Sequence, residues 1–451
     1  MTDLVAWRDD PHRKPLLVTG VRQCGKTYLI RAFGEEHFQS LAYVNLERNA
    51  GAAGIFERDL DPRRIVTELS ELYLDVPIVP GETLLFFDEI QAQPKAITAL
   101  KYFAEDLPEL AVIGAGSLLG VSLQGFSGVE QPFSFPVGKV DVVQLYPFSF
   151  REFLWSSGAD WDSLLERYIP DEPIPETLFT SLIEQYNTYL IVGGMPEAVA
   201  MYRRTGDLDA VHRVQDMILL GYENDMTKYA PSTEFANLRQ IWDSIPVQLS
   251  RENNKFVFSH VRKSARAKDL EASLNWLVGA GLVHLLTRVE VPRKPLSFHQ
   301  DSSYYKVFFC DVGLIARRAG LSYRDLVNRG RETENFRGSL SENFVLGELV
   351  RLGYHPHFWR SANTAEVDFI VEVGETVIPI EVKSADNTQA KSYRSFINSF
   401  HPQLGFKMSL KNMGVTSIHW VDSRSGATRT WALPLPLIWL MPTIVEGQFV
   451  E

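Results

Sequence analysis

The chain has 451 residues, of which 45% are hydrophobic and 22% are charged, and its formal net charge is −11. At roughly 150 residues per domain this length suggests about three domains, and the composition is ordinary for globular proteins. These values exclude a disordered chain, a collagen, a coiled-coil rod and a protein that coats nucleic acid through its overall charge.

Four segments follow one another along the chain. Residues 1–150 alternate short apolar runs with polar helical stretches, which predicts an α/β core with a parallel sheet. Residues 151–240 have a helical pattern, residues 241–330 include a basic region, and residues 331–451 begin with a helix and continue with alternating strands. Three buried strands are predicted in the first segment, at Leu16–Thr19, Leu84–Phe87 and Leu110–Gly114.

A phosphate-binding loop is predicted directly after the first of these strands. The sequence GVRQCGKT at residues 20–27 fits the pattern G-x-x-x-x-G-K-[ST] and is followed by a helical stretch. Glycines let backbone N–H groups turn inward around a phosphate, and the helix N-terminus adds positive potential. We expect Lys26 to reach the β- and γ-phosphates and Thr27 to hold Mg²⁺. The predicted cofactor-binding residues of the loop are Gly20, Val21, Arg22, Gln23, Cys24, Gly25, Lys26 and Thr27.

The next two strands end in polar side chains that would complete such a site. Asp88 suits the coordination of Mg²⁺ and Glu89 suits the polarisation of the attacking water, although an Asp-Glu pair alone is usually a solvated turn. Ser117 follows the third strand and would sense the γ-phosphate, or else be an ordinary loop residue. Ligands of open α/β sheets bind at the carboxyl ends of the strands, so all three side chains are expected beside the loop.

These features together resemble the core of AAA+ ATPases. Two short strings, GGMPE at residues 193–197 and DVGL at residues 311–314, further resemble a family of predicted prokaryotic ATPases in which an AAA core precedes a C-terminal domain of uncharacterised function. Four longer strings resemble the same family: Phe87-Asp-Glu-Ile-Gln91, Leu100-Lys-Tyr-Phe103, Phe135-Pro-Val-Gly-Lys139 and Leu145-Tyr-Pro-Phe-Ser-Phe-Arg-Glu-Phe153. The resemblance spans almost the whole chain. It implies an AAA+ P-loop core with a helical lid, and ATP binding and hydrolysis with Mg²⁺.

AAA+ enzymes usually complete the site with a cation from a neighbouring subunit, so the resemblance also raises a homo-oligomer as an expectation. Lys139 and Arg151 follow the strand before Ser117 and are candidates for that cation, although for each residue singly a solvated surface charge is the favoured explanation. Cys24 is expected to fill space in the loop, and a thiol there would alternatively make ATP binding sensitive to oxidation.

The basic region lies at residues 251–330, which hold 14 Lys and Arg against 7 Asp and Glu. A helix, a basic turn, a second helix and a strand pair are predicted here, which resembles a winged helix-turn-helix. The basic residues before the second helix are Arg262, Lys263, Arg266 and Lys268, and its apolar face is Leu270, Leu274, Trp276 and Leu277. A strand is predicted at Ala280–Leu286, and Arg293 and Lys294 would lie in the wing. Clustered cations favour phosphate contacts with DNA, and a packing domain with a basic surface is the alternative.

A second candidate active site lies in the last segment. Glu342 falls on the apolar face of a predicted helix at Ser341–Arg351, Asp368 on a predicted strand, and Glu381 and Lys383 on one face of the next strand. This set resembles the PD-(D/E)XK nucleases, in which carboxylates hold Mg²⁺ or Mn²⁺ and the lysine acts on the nucleophile. A buried cluster of salt bridges among the same residues is the alternative.

The two cysteines, Cys24 and Cys310, cannot cross-link a secreted fold, which favours a reducing compartment. The N-terminus has no apolar signal core, and no run reaches the roughly 20 apolar residues of a membrane span. We therefore expect a cytoplasmic protein that contacts no membrane.

The sequence favours an α/β protein with four domains. These are a P-loop ATPase core at 1–150, a helical lid at 151–240, a winged-helix-like domain at 241–330 and a nuclease-like domain at 331–451. The expected partners are ATP and nucleic acid, with DNA the expected polymer. The expected function is ATP hydrolysis coupled to metal-dependent action on nucleic acid. Two alternatives remain open: an ATP switch whose nuclease-like domain binds without cleaving, and a defence effector whose nuclease is gated by ATP.

Overall fold

The computed structural model describes most of the chain, and its contacts divide it into two compact units. The described residues are 1–74, 76–117, 119–123, 134–168, 172–251, 255–328, 334–361, 365–383, 391–421 and 426–449. The first unit contains residues 1–146, 224–235 and 273–282, and the second contains residues 147–223, 236–272 and 283–451. The four predicted domains remain a prediction of how the chain is organised.

A parallel sheet forms the centre of the first unit. Its strands are β1 (Leu16–Thr19), β2 (Ser40–Asn45), β3 (Thr83–Asp88), β4 (Ala111–Ala115) and β5 (Asp141–Gln144). Its N-terminal helices are α1 (Thr2–Asp9), α2 (Lys26–His37), α3 (Ala50–Gly54), α4 (Pro62–Leu72), α5 (Pro94–Asp106) and α6 (Leu119–Leu123), with 3-10 turns at Ile55–Glu57 and Ile90–Ala92. The strand order is β2–β3–β4–β1–β5, and every pairing among these strands is parallel.

Both faces of this sheet are buried, which explains why its strands are continuous apolar runs. Leu85 and Phe87 of β3 belong to one hydrophobic cluster, whereas Leu84 and Phe86 belong to another. The predicted strands β1, β3 and β4 are present, and α2 follows the phosphate loop as predicted. The carboxyl ends of β1, β3 and β4 therefore lie side by side at one edge of the sheet.

The second unit combines helices with a mixed sheet. The remaining helices are α7 (Phe150–Trp155), α8 (Trp161–Glu166), α9 (Glu176–Val192), α10 (Pro196–Thr205), α11 (Leu208–Tyr229), α12 (Phe235–Leu249), α13 (Phe258–Val261), α14 (Ala267–Gly279), α15 (Val312–Arg318), α16 (Tyr323–Val327), α17 (Glu334–Arg351), α18 (Lys391–Phe400) and α19 (Met441–Phe449), with 3-10 turns at Leu296–His299 and Leu435–Leu440. Of these, α11, α12 and α14 have residues in both units. Within the described ranges, no helix is long and apolar enough to cross a membrane.

The remaining strands are β6 (Val283–Val289), β7 (Gln300–Phe309), β8 (His357–Arg360), β9 (Glu366–Val373), β10 (Thr376–Lys383), β11 (Leu404–Ser409), β12 (Gly414–His419) and β13 (Ala427–Pro434). They form one sheet in the order β12–β13–β11–β10–β9–β8–β6–β7. The antiparallel pair β6–β7 is the predicted hairpin, and Arg293 and Lys294 lie in its connection as predicted.

The sequence analysis did not foresee that this hairpin continues the C-terminal sheet. Strand β6 pairs with β8 in parallel, with Arg288 opposite Phe358 and Val289 opposite Trp359. About 70 residues separate these partners, and periodicity within a strand carries no information about such a distant neighbour.

Two of the recognised strings meet in the second unit. Asp311 caps α15 by accepting a hydrogen bond from the Leu314 N–H at 2.9 Å, and its other oxygen accepts one from the Gly194 N–H at 2.7 Å. A Cβ atom on Gly313 would lie 2.5 Å from the Gly193 nitrogen, so only glycine permits this approach. The strings GGMPE and DVGL are thus two halves of one backbone junction.

We expect Gly313→Ala to lower the free energy of unfolding by about 2 kcal/mol or more, because the added methyl group meets backbone that cannot move away. Gly221→Ala is the matched control, since Gly221 lies in α11 with no atom within 4 Å of an added Cβ. That variant should be more stable by about 0.5–1 kcal/mol. Urea unfolding followed by circular dichroism measures both, and equal effects would contradict the tight junction.

Candidate nucleotide-binding site and acid cluster

The phosphate loop has the backbone shape that a bound phosphate needs. Gly20 and Gly25 have φ values of 147° and 95°, and a Cβ atom on Gly20 would lie 2.2 Å from the carbonyl oxygen of Leu145. Helix α2 begins at Lys26 without a side-chain cap. Its first N–H groups are therefore not occupied by a capping side chain, and the loop residues fit a nucleotide phosphate.

Lys26, Thr27 and Asp88 come together at the start of α2. The buried Lys26 ammonium donates to the carbonyl oxygens of Gly20 and Val21, both at 2.9 Å. The Thr27 hydroxyl lies 3.1 and 3.2 Å from the two oxygens of Asp88. A hydroxyl beside a carboxylate is a hard-oxygen pair that suits Mg²⁺.

Two side chains on the neighbouring strand β2 orient Asp88, and the sequence analysis missed both. The Tyr43 hydroxyl donates to Asp88 at 2.9 Å, and the Asn45 amide lies 3.5 Å from the same oxygen. Asn45 is the register partner of Asp88 in the β2–β3 ladder. Their role depends on which strand neighbours β3, which the sequence alone does not state.

Glu89 and Ser117 lie at the ends of β3 and β4. Glu89 has left-handed backbone, with φ of 49°, and its carboxylate accepts a hydrogen bond from the Gln91 amide at 2.6 Å. A Cβ atom on Gly116 would lie 2.1 Å from the side-chain amide oxygen of Gln91, so this glycine lets the Gln91 side chain approach the end of β4. Ser117 is buried directly after Gly116. Gln91 thus connects Glu89 to the end of β4. Gln91 is the last residue of the string FDEIQ, and the sequence analysis assigned it no role.

Arg22 of the phosphate loop forms an ion pair with Asp225, near the end of α11. Asp225 is 5% exposed, and burial raises its pKa while Arg22 lowers it. Lys228, one turn further along, donates to Glu47 at 2.5 Å. Residues 224–229 therefore belong to the first unit, although they lie about 200 residues from the loop.

Lys139 and Arg151, the candidates for the cation from a neighbouring subunit, each form an ion pair within this chain. The Lys139 ammonium lies 3.0 Å from Glu105, and Arg151 donates twice to Asp162 at 3.0 Å. Cys24 is buried with its thiol directed at the carbonyl oxygen of Leu145, and burial raises its pKa. A buried neutral thiol reacts slowly with oxidants, which favours the space-filling role.

The predicted acids of the second site approach one another. Strands β9 and β10 are antiparallel with Phe369 opposite Ile380, which places Asp368 opposite Glu381. Asp368 accepts a hydrogen bond from the Val382 N–H at 2.7 Å, and Lys383 lies 2.7 Å from Glu381. Burial and the charges of Glu381 and Glu342 raise the pKa of Asp368 well above its usual range. Burial also raises the pKa of Glu381, against the effect of Lys383.

A lysine that the sequence analysis missed lies among these acids. Lys306 of β7 is 2% exposed, and its ammonium lies 3.2 Å from Glu342 and 2.8 Å from Glu366. Burial acts to lower the pKa of Lys306, but the carboxylates around it, including Asp368, leave it raised. Its only signal in the sequence is a lysine inside an otherwise apolar strand end.

Cations from other strands lie within the acid cluster. Lys306 and Lys383 pair with its carboxylates. Arg360 of β8 lies 3.2 Å from Glu366. Across the described ranges, no group of three or more His, Cys, Asp or Glu side chains is arranged to hold a metal ion. A metal held by Glu342, Asp368 and Glu381 stays a prediction.

The basic turn before α14 is exposed. Its four cations are Arg262, Lys263, Arg266 and Lys268. The predicted apolar face of the helix that follows is buried, as shown by Leu270, Leu274, Trp276 and Leu277. The separation of charged and apolar faces in this stretch is therefore as predicted.

Three parts of the chain match described families. Residues 12–154 match an AAA domain, residues 183–325 a domain of unknown function (DUF8612), and residues 337–437 a domain of unknown function (DUF4143). The comparison with curated proteins finds no match to this chain.

The chain also has similarity to solved structures. The Walker-type ATPase PABY2304 of Pyrococcus abyssi has 16% identity and a TM-score of 0.41, over 70% of this chain and 93% of that one. The RuvB Holliday junction branch migration motor of Thermotoga maritima has 14% identity and a TM-score of 0.27, over 65% and 86%. These low scores add no argument about this chain. The AAA match over residues 12–154 and the geometry of the loop support the binding and hydrolysis of ATP by the N-terminal part of the chain.

Proposed function

We propose that this protein is an ATP-dependent switch whose C-terminal, nuclease-like domain binds nucleic acid without cleaving it. The observation that carries this proposal is Lys306, which lies among the carboxylates where cleavage would need a metal ion. The exposed basic turn before α14, in the winged-helix-like segment that precedes this domain along the chain, adds nucleic-acid contacts, and ATP occupancy controls the binding.

At the ATP site, each predicted residue has a proposed role. Backbone N–H groups of the loop and the Lys26 ammonium bind the β- and γ-phosphates, and the carbonyl contacts of Lys26 are exchanged for phosphate oxygens. Thr27 and Asp88 hold Mg²⁺, which neutralises charge on the phosphates. Glu89, held by Gln91, orients the attacking water and accepts its proton. Ser117 senses the γ-phosphate from the end of β4.

In the C-terminal domain, the acid cluster is proposed to stabilise the fold. Buried carboxylates are costly unless paired, and Lys306 and Lys383 pair them. Under this proposal the domain has the arrangement of a PD-(D/E)XK enzyme, with acids on α17, β9 and β10 and a lysine on β10. It does not cleave nucleic acid.

A second candidate is metal-dependent cleavage of nucleic acid. It is favoured by one specific observation: Oε2 of Glu381 is buried and has no hydrogen-bond partner within the described residues. If Lys306 left the cluster, that oxygen together with Glu342 and Asp368 would present carboxylates to Mg²⁺ or Mn²⁺, and Lys383 would act on the nucleophile.

The two candidates are separated by one assay. Purified protein is incubated with labelled single- and double-stranded DNA and RNA, with Mg²⁺ or Mn²⁺, and with or without ATP. We expect binding and no cleavage. Cleavage by the wild type that Asp368→Asn abolishes would establish the nuclease instead.

For the ATP site, we expect Lys26→Ala to lose nucleotide binding and Glu89→Gln to bind ATP with at least about 100-fold slower turnover. Binding of a fluorescent ATP analogue and release of phosphate measure the two effects. Lys95→Ala, at an exposed lysine of the same unit, is the control and should behave as wild type. Normal hydrolysis by Glu89→Gln would contradict the role of Glu89.

For the acid cluster, we expect Lys306→Met to lower the free energy of unfolding by about 3–5 kcal/mol, because it leaves buried carboxylates without a cation. Mg²⁺ should raise the melting temperature of this variant, whereas Mg²⁺ and chelator should leave the wild type unchanged. Lys411→Met, at an exposed lysine of the same unit, should have little effect. Wild-type protein that melts several degrees lower in chelator would mean that the cluster holds a metal.

For nucleic-acid binding, we expect neutralisation of Arg262, Lys263, Arg266 and Lys268 together to weaken affinity for DNA. Each lost phosphate contact should reduce the slope of log affinity against log salt by about 0.9. The control is a matched set of four exposed cations elsewhere in the same unit: Arg213, Arg239, Lys391 and Lys411. Equal affinity and slope in the two quadruple variants would contradict the assignment.

A further inference from the structure

Two cations of the phosphate loop are satisfied by the protein itself. The Lys26 ammonium is held by loop carbonyl oxygens, and the Arg22 guanidinium is held by Asp225. An arriving nucleotide must therefore compete for both. The loop pattern predicts that Lys26 contacts the β- and γ-phosphates, whereas it counts Arg22 among the cofactor-binding residues without stating which group of the nucleotide its side chain contacts.

Asp225 is a fixed partner, whereas Arg22 has room to move. Asp225 is buried, and the same helix end is anchored by Lys228 and Tyr229, which donate to Glu47 at 2.5 and 3.3 Å. The side chain of Arg22 is 42% exposed and lies on a loop. The pair is therefore best broken by movement of the guanidinium.

Arg22 is itself a residue of the phosphate loop, between Gly20 and Lys26. This loop is the part of the site that is expected to bind the β- and γ-phosphates, so a guanidinium that it carries can exchange a carboxylate for a phosphate there. Burial acts to lower the pKa of Arg22, but the charges of Asp225 and Glu89 leave it raised.

We propose that Arg22 is a ligand of the γ-phosphate of ATP and that Asp225 competes with this phosphate for the guanidinium. A guanidinium binds a carboxylate or a phosphate through the same pair of N–H donors, so one partner replaces the other. ADP has no γ-phosphate and leaves Arg22 on Asp225. Arg22 thus makes the site prefer ATP over ADP, and Asp225 sets how large that preference is.

The inference rests on the proposed binding of ATP at this loop. The following test distinguishes a failure of ATP binding from a failure of the competition between Asp225 and the γ-phosphate. The dissociation constants of ATP and ADP are measured for full-length wild type, Asp225→Asn, Arg22→Gln and the double variant. Asp225→Asn should tighten ATP binding about tenfold and change ADP binding less than about twofold, since the competitor is gone. Arg22→Gln should lose most of the preference for ATP. In the double variant, the Asp225→Asn change should have no further effect on the dissociation constants of ATP and ADP beyond that of Arg22→Gln alone.

Glu57→Gln is the matched control, because it removes an ion pair of the same unit, with Lys95, that involves neither the loop nor the end of α11. It should leave the ratio of ATP to ADP affinity unchanged. Weaker ATP binding by Asp225→Asn, an equal change for ATP and ADP, or an effect of Asp225→Asn that persists without Arg22 would each overturn the proposal. Arg22→Gln keeps the test decisive if Asp225→Asn fails to fold. Absence of ATP binding by wild type would instead contradict the ATPase assignment.

Discussion

A charged group that is removed from water needs an opposite charge or several hydrogen bonds, and both functional regions of this protein are organised by that requirement. In the ATPase unit, the buried Lys26 donates hydrogen bonds to loop carbonyl oxygens, and the buried Asp225 forms an ion pair with Arg22. In the second unit, Lys306 and Lys383 form ion pairs with the carboxylates that converge from α17, β9 and β10. In both places the cations already have partners, so a ligand that binds a cation has to replace an existing contact; Oε2 of Glu381 has no hydrogen-bond partner within the described residues.

Replacement has different consequences in the two regions. At the phosphate loop the existing partners of Lys26 are neutral carbonyl oxygens, which a phosphate outcompetes by its charge. At the acid cluster the existing partner is a lysine that is itself buried. A metal that displaced Lys306 from the carboxylates would leave a buried ammonium without a partner. The free energy of metal binding would have to exceed the cost of that unpaired charge. This asymmetry is why the loop suits a ligand that comes and goes, whereas the cluster suits a permanent structure.

The backbone junction formed by GGMPE and DVGL follows the same principle on a smaller scale. Asp311 is buried, and two backbone N–H groups from different segments satisfy it. The glycines around it exist so that those segments can approach closely. At Gly193, Gly194 and Gly313 an added side chain would meet backbone or the Asp311 carboxylate, which explains why these two strings are rich in glycine.

Much of the molecule was predictable from local sequence. The strands β1, β3 and β4, the helix α2, the hairpin β6–β7 and the helix α17 all follow from apolar periodicity and turn residues. The phosphate loop, and the positions of Asp88, Glu89 and Ser117 at strand ends, follow from a short pattern and from the rule that parallel strands share one edge. The pairing of Asp368 with Glu381 follows from strand alternation and a short turn.

Tertiary structure decided the partners of these residues. Tyr43 and Asn45 orient Asp88 because β2 lies beside β3. Asp225 reaches Arg22 across about 200 residues, and Lys306 reaches Glu342 because β7 ends a sheet that runs into the C-terminal segment. Periodicity specifies which face of an element is buried but not which distant charge meets it there. The presence of Lys306 among these acids was therefore decided by the folded chain alone.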